Sequence, residues 1–132
     1  MRDIKHARLM VDMAAADLQA VSHMIDQSQF ADSVFGFHCQ QAVEKLCKAW
    51  LSLVGIEYPR THDLRTLFHL IESHEPEQLM PFIDLVDLTD YAVQFRYEAP
   101  LDLDSLDRPV LSEQIRVFFL RVESLFETGQ KS

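Results

Sequence analysis

Glycine and proline are scarce in this 132-residue chain, 3 and 5 residues, so tight turns are few and an all-β sandwich or barrel is disfavoured. No stretch is low in complexity and no internal repeat is visible. The two cysteines, Cys39 and Cys47, stand eight apart on one predicted helix, too far to bridge each other. They read as reduced thiols in or near a core. Basic residues are outnumbered, 12 Lys and Arg against 21 Asp and Glu, for a net charge of −9. That balance excludes a general counterion-release surface for duplex nucleic acid and leaves only local basic clusters for RNA. No segment approaches the roughly 20 consecutive apolar residues that span a membrane. The opening MRDIKHARLM carries charges and no apolar run of signal-peptide length, so a cytoplasmic protein is expected.

What the chain has in quantity is helical periodicity. Its hydrophobic content of 48% and its length suit one domain, residues 1–132, with a real core. A first helix over about 3–26 sets Ala7, Met10, Ala14, Leu18, Val21 and Ile25 on one stripe. A second runs from about 31 to 54, with Phe35, Cys39, Ala42, Leu46, Trp50 and Leu53 inward. Gly55 stands where a left-handed helix end is wanted, and Pro59 stops the helix resuming. A short helix starts at THDL, capped by Thr61 or Asp63, with Leu64, Leu67, Phe68 and Ile71 apolar. A fourth, about 77–95, carries the broad arc Leu79, Phe82, Ile83, Val86, Leu88, Ala92 and Phe95. EAPLDLDSLDRP then reads as an unusually long loop. The last helix, about 108–127, points Leu111, Ile115, Phe118, Val122 and Leu125 inward, with Asp107 as its cap and Pro109 in its first turn. The expected fold is all-α: an antiparallel four-helix up-and-down bundle plus one short inserted helix.

The second helix also carries a polar stripe. His38, Gln41, Lys45 and Lys48 recur at steps of three and four, and Glu44 can pair with Lys48 at i, i+4. By itself such a stripe is an ordinary solvated face. Metal-ligand spacing is missing: Glu72 and His74 do not form a Glu-x-x-His pair, and His62 with His69 supplies too few ligands. No glycine-rich phosphate loop and no nucleophile elbow occur. No metal and no cofactor are expected.

Three stretches change the weight of that stripe. HCQQAVEKLCKAWL, THDLRTLF and YAVQFRYEAP stand in the order and at the separations of a known pattern. In that pattern a Gln-x-x-Glu-Lys-x-x-Lys-Ala helix is followed by a Thr-His-x-Leu helix start and an Arg-Tyr-Pro-like helix end. The matches are Gln41, Glu44, Lys45, Lys48 and Ala49, then Thr61, His62 and Leu64, then Arg96 and Tyr97. The chain thus resembles the HEPN domain (higher eukaryotes and prokaryotes nucleotide-binding) over almost its full length.

The resemblance implies a small helical bundle that forms homodimers. It also implies pairing with a minimal nucleotidyltransferase in a toxin–antitoxin-like or nucleotide-handling system. Other members are metal-independent RNA endonucleases that use an Arg-x(4–6)-His motif at the end of the fourth helix. Here Arg96 is followed by Tyr97, Glu98, Ala99, Pro100, Leu101, Asp102 and Leu103, with no His. Cleavage beside a 2′-hydroxyl wants a group that exchanges a proton near neutral pH. The leading expectation is therefore a non-catalytic, dimeric binding module. Gln41, Lys45, Lys48, His62, Arg65, Arg96 and Tyr97 would form a small basic site for a nucleotide or phosphate group. The alternative is a ribonuclease in which His62, or His38, replaces the missing His and works with Arg96. A bundle that only assembles is a third reading.

Overall fold

The computed structural model describes residues 2–25, 30–92 and 107–130. Helix α1 spans Ile4–His23, α2 Asp32–Val54 and α3 Leu64–His74. A single turn, α4, covers Pro76–Leu79 and passes into a 3-10 helix over Met80–Tyr91; α5 spans Arg108–Gln130. Among the described residues there is no strand, and no helix is long and apolar enough to cross a membrane.

Local chemistry sets the helix ends. The Asp3 carboxylate accepts from His6 N–H at 2.9 Å and starts α1. Gly55, at φ 79°, ends α2, with Ile56 N–H bonded to Leu51 O at 2.9 Å across the reversal. The choice of cap for α3 falls to Asp63, which accepts from Arg65 N–H at 2.9 Å, while Thr61 accepts from Asp63 N–H at 3.0 Å. Asp107 caps α5 through Val110 N–H at 3.2 Å.

Contacts between helix ends give the up-and-down order. Asp3 N–H bonds to Ser52 O, joining the start of α1 to the end of α2. Arg8 meets Glu123 at 3.1 Å, joining the start of α1 to the end of α5. At the opposite end of the bundle, Arg108 donates to Met24 O at 2.7 Å, to Phe30 O at 2.6 Å and to Asp32 at 3.0 Å. Its guanidinium also lies over the Phe35 ring. The first helix therefore runs against both α2 and α5.

The fourth helix departs from the expected regular α-helix over 77–95. Its large buried apolar residues are Leu79, Phe82, Leu85, Leu88 and Tyr91, one every third residue, and Thr89 is buried beside them. That is the repeat of a 3-10 helix, whose side chains at i and i+3 eclipse. Pro81 contributes, because its ring in an α-helix would collide with the carbonyl four residues back. Ala92 leaves the helix in extended conformation, and Phe95 lies outside the described residues.

The core forms around Phe118 of α5. Its ring centroid lies 4.8 Å from Phe82, 6.0 Å from Trp50 and 6.4 Å from Phe68. Four elements thus meet through aromatic edges and faces. Trp50 is fully buried and donates its indole N–H to Glu75 at 2.8 Å. The helix α2 is central: it packs against every other long element and has buried residues on most of its circumference. A polar side chain there must find a partner inside the fold.

Candidate functional site

The polar stripe of α2 is built around two carboxylates. Glu44 is buried, with 3% of its surface exposed, and so is Gln40, with none. Gln40 donates through Nε2 to Glu44 Oε1 and to the backbone oxygen of His62, both at 3.0 Å. Its own Oε1 accepts from Gln41 Nε2 at 2.7 Å. Lys48 Nζ donates to Glu44 Oε2 at 2.9 Å, the i, i+4 pair allowed by sequence. His62 Nδ1, at the entry to α3, lies 2.9 Å from Glu44 Oε1.

One carboxylate therefore gathers an amide, an ammonium and an imidazole from two elements. Burial pushes the Glu44 carboxyl up, but the hydrogen bonds from Gln40, Lys48 and His62 and the charge of Lys48 outweigh it. The net position is below its usual range, and Glu44 is ionised at neutral pH.

The second carboxylate comes from α1. Asp17 takes Lys45 Nζ on Oδ2 at 2.6 Å and lies 3.3 Å from His38 Nδ1 through Oδ1. The four members of the stripe thus divide between two anchors: His38 and Lys45 on Asp17, Lys48 and Gln41 on the Gln40–Glu44 pair. Beyond Lys48 the polar surface continues to Tyr58, whose ring centroid lies 5.8 Å from Lys48 Nζ. Tyr58 OH is 2.6 Å from His6 Nε2, at the edge of an open hollow of about 440 Å³ lined by Asp3, His6, Ser52, Ile56, Glu57 and Tyr58. Burial pushes the Tyr58 phenol up; the Ser52 hydrogen bond opposes this, and the charges of Asp3 and Glu44 reinforce it.

Of the residues singled out by sequence, Gln41, Lys48 and His62 come together on the buried Gln40–Glu44 pair, and Lys45 lies alongside on Asp17. Arg65 is turned to Asp63 of its own loop, with Nε and a terminal nitrogen each 3.0 Å from the carboxylate. The N–H groups at the start of α3 are occupied: Leu64 N–H bonds to the Thr89 hydroxyl at 3.0 Å and Arg65 N–H to Asp63. Arg96 and Tyr97 lie outside the described residues.

The described part of this lining is charge-balanced, with Lys45 and Lys48 set against Asp17 and Glu44. The concentrated positive spot expected from sequence is accordingly tempered. Each ammonium has three donors and uses one on its carboxylate, so both keep donors for a ligand. Among the described residues, no group of three or more His, Cys, Asp or Glu is arranged to hold a metal ion.

Gln40 and Asp17 are the site residues that sequence reasoning missed. Gln40 had a signal: Gln40, Glu44, Cys47 and Leu51 follow the three-and-four step and extend the buried arc of α2. Asp17 had none, because its role depends on how α1 lies across α2.

Comparison with known proteins agrees with this architecture. The family model described as the HEPN domain matches residues 7–128. A protein of Methanocaldococcus jannaschii named as a candidate toxin is 33% identical over 105 residues, which cover 74% of this chain and 67% of that protein. No solved structure gives a significant match. With the family pattern running through nearly every described element, this chain belongs to the HEPN domain family.

Proposed function

We propose that this HEPN domain is a dimeric, non-catalytic module that works with a minimal nucleotidyltransferase in a toxin–antitoxin-like pair. Its ligand, a nucleotide or another phosphate-bearing group, would bind on the polar face of α2. The observation that carries this reading is the meeting of Gln41, Lys48 and His62 on the buried Gln40–Glu44 pair, with Lys45 beside them. A fully satisfied buried polar network fixes side-chain positions in advance, so less ordering is lost when a ligand arrives. The toxin name of the Methanocaldococcus jannaschii relative supports the toxin–antitoxin setting.

Dimerisation is supported by apolar surface left over in the single chain. Val110, Val117 and Leu120 lie on the face of α5 away from its core stripe, at 52%, 43% and 49% exposure. Beside them a hollow of about 330 Å³, lined by Pro81, Phe82, Leu85 and Val117 among others, separates α5 from the 3-10 helix. A two-fold contact would cover such a patch with a copy of itself. Phe126 of the same helix adds nothing to this patch: it is buried, with Arg8 4.0 Å above its ring. Light scattering at micromolar concentration should give twice the 15.3 kDa of one chain, and a monomer mass would overturn the dimer.

The binding test is calorimetric titration with ATP, GTP and inorganic phosphate, repeated on Lys48→Glu and Lys45→Glu. Losing one charge-assisted contact should weaken binding by about tenfold or more. Unchanged affinity in both variants would return the stripe to a solvated face. Co-purification of the native complex, with its partner identified, tests the nucleotidyltransferase.

One observation favours the ribonuclease reading. His62 is held through Nδ1 by a buried carboxylate while 55% of its side chain stays exposed, the arrangement of an imidazole prepared for proton transfer. Intact RNA after prolonged incubation with the purified dimer would dismiss it.

A further inference from the structure

Glu44 determines which nitrogen of His62 carries the proton. An ionised carboxylate only accepts hydrogen bonds, so the imidazole 2.9 Å away must present Nδ1–H. The carboxylate is held in that state by its surroundings. Lys48 donates to Oε2 and Gln40 to Oε1, and the Gln40 amide cannot be reversed, because Nε2 also faces the His62 backbone oxygen. Gln40 thus binds both the backbone of His62 and the carboxylate that orients its ring. In neutral His62 the lone pair is consequently on Nε2, at the far edge of the ring from Glu44. More than half of the side chain is exposed, so the ring is within reach of a ligand.

A nitrogen with a lone pair and no proton is a poor partner for a phosphate, whose oxygens are themselves acceptors. It is a good partner for a hydroxyl. We infer that His62 Nε2 accepts a hydrogen bond from a ribose 2′-hydroxyl, with Glu44 as its positioning residue, so that this face of α2 prefers ribonucleotides to 2′-deoxyribonucleotides. This reassigns His62 from a phosphate contact to a sugar contact and leaves the phosphate to Lys45 and Lys48. It rests on the proposal that the face binds nucleotide. The same lone pair would serve whether the ribose belongs to a free nucleotide or to an RNA strand, and the two sources are separated by experiment.

The test has two arms on the intact protein. In the first, long-range nitrogen–proton NMR on the uniformly labelled wild-type chain above the imidazole titration reads the tautomer of His62. Nδ1–H is expected; a predominant Nε2–H tautomer overturns the inference without any variant or ligand. In the second, ATP is titrated against 2′-deoxy-ATP, and an RNA oligomer against DNA of the same sequence. One hydrogen bond from a half-exposed imidazole should favour the ribose form by about tenfold. His62→Ala should abolish that preference, weakening ATP binding more than 2′-deoxy-ATP binding. Preference between the nucleotides points to a free nucleotide, and preference between the oligomers alone to RNA; either supports the inference. Equal wild-type affinity for ribose and deoxyribose forms overturns it and leaves nucleotide binding standing. Absence of binding to all four overturns the nucleotide reading and the ribose assignment with it.

Discussion

Gly36 of α2 and Tyr91 of the 3-10 helix touch so closely that a Cβ on Gly36 would run into the Tyr91 ring. The absence of a side chain lets the buried ring lie against the α2 backbone. The contact brings the end of the fourth helix to the start of the second.

This relationship decides the sign of a common substitution. In an exposed helix interior, Gly→Ala stabilises by about 1 kcal/mol. Overpacking a tight contact costs about 1–3 kcal/mol, and here the obstacle is an aromatic ring held in a core. Gly36→Ala should therefore lower the thermal midpoint. A higher midpoint would show that Tyr91 can move aside at no cost.

Glu44 should make stability depend on pH in one direction. Its folded carboxyl titrates below the usual 4.5, so the ionised network stabilises the fold at neutral pH and above. That contribution drains away as the pH falls from the unfolded value through the lower folded one. Glu44→Gln should cost on the order of 3 kcal/mol at neutral pH, because Lys48 loses its buried partner. The gap between variant and wild type should narrow in acid. Denaturant melts at neutral pH and below pH 4 check this, and a constant gap would mean that Glu44 is not ionised in the fold.

Both cysteines should be chemically quiet. Cys39 and Cys47 are fully buried, free thiols. Burial pushes the Cys39 thiol up to about 12 against the opposing charge of Arg108, and burial likewise raises Cys47. The thiolate is the reactive form. A thiol reagent at neutral pH should label neither in the native protein and both after denaturation, and rapid native labelling would contradict the packing of α2.

Trp50 and Glu75 offer a reporter. Glu75→Ala leaves the buried indole N–H without its acceptor, at a cost of about 1–3 kcal/mol. The chain holds 1 tryptophan, so its emission reports on this contact alone. Both the emission maximum and the thermal midpoint should shift. If neither moves, the bond contributes nothing.

The sequence and the structure agree most closely where the cause is local. Gly55 and Asp107 end or start helices through groups a few residues away, and both roles were legible in the sequence; the Asp3 cap is equally local but was not read there. The fourth helix was misread because apolar residues there fit either period. Only the strict three-residue recurrence from Leu79 to Tyr91, with Pro81 near its start, distinguishes the 3-10 form.

By itself, the sequence determined the all-α elements, the inward stripes and the polar face of α2, since each follows from spacing along one helix. Tertiary structure decided which charges meet. Asp17 reaches Lys45 and His38 only because α1 lies against α2, and Glu44 meets His62 only because the entry to α3 folds back over it. Helical periodicity fixes which side of a helix a residue occupies. It carries no information about the angle and register at which another helix arrives, and at this site those set the partners, the ionisation of Glu44 and the proton on His62.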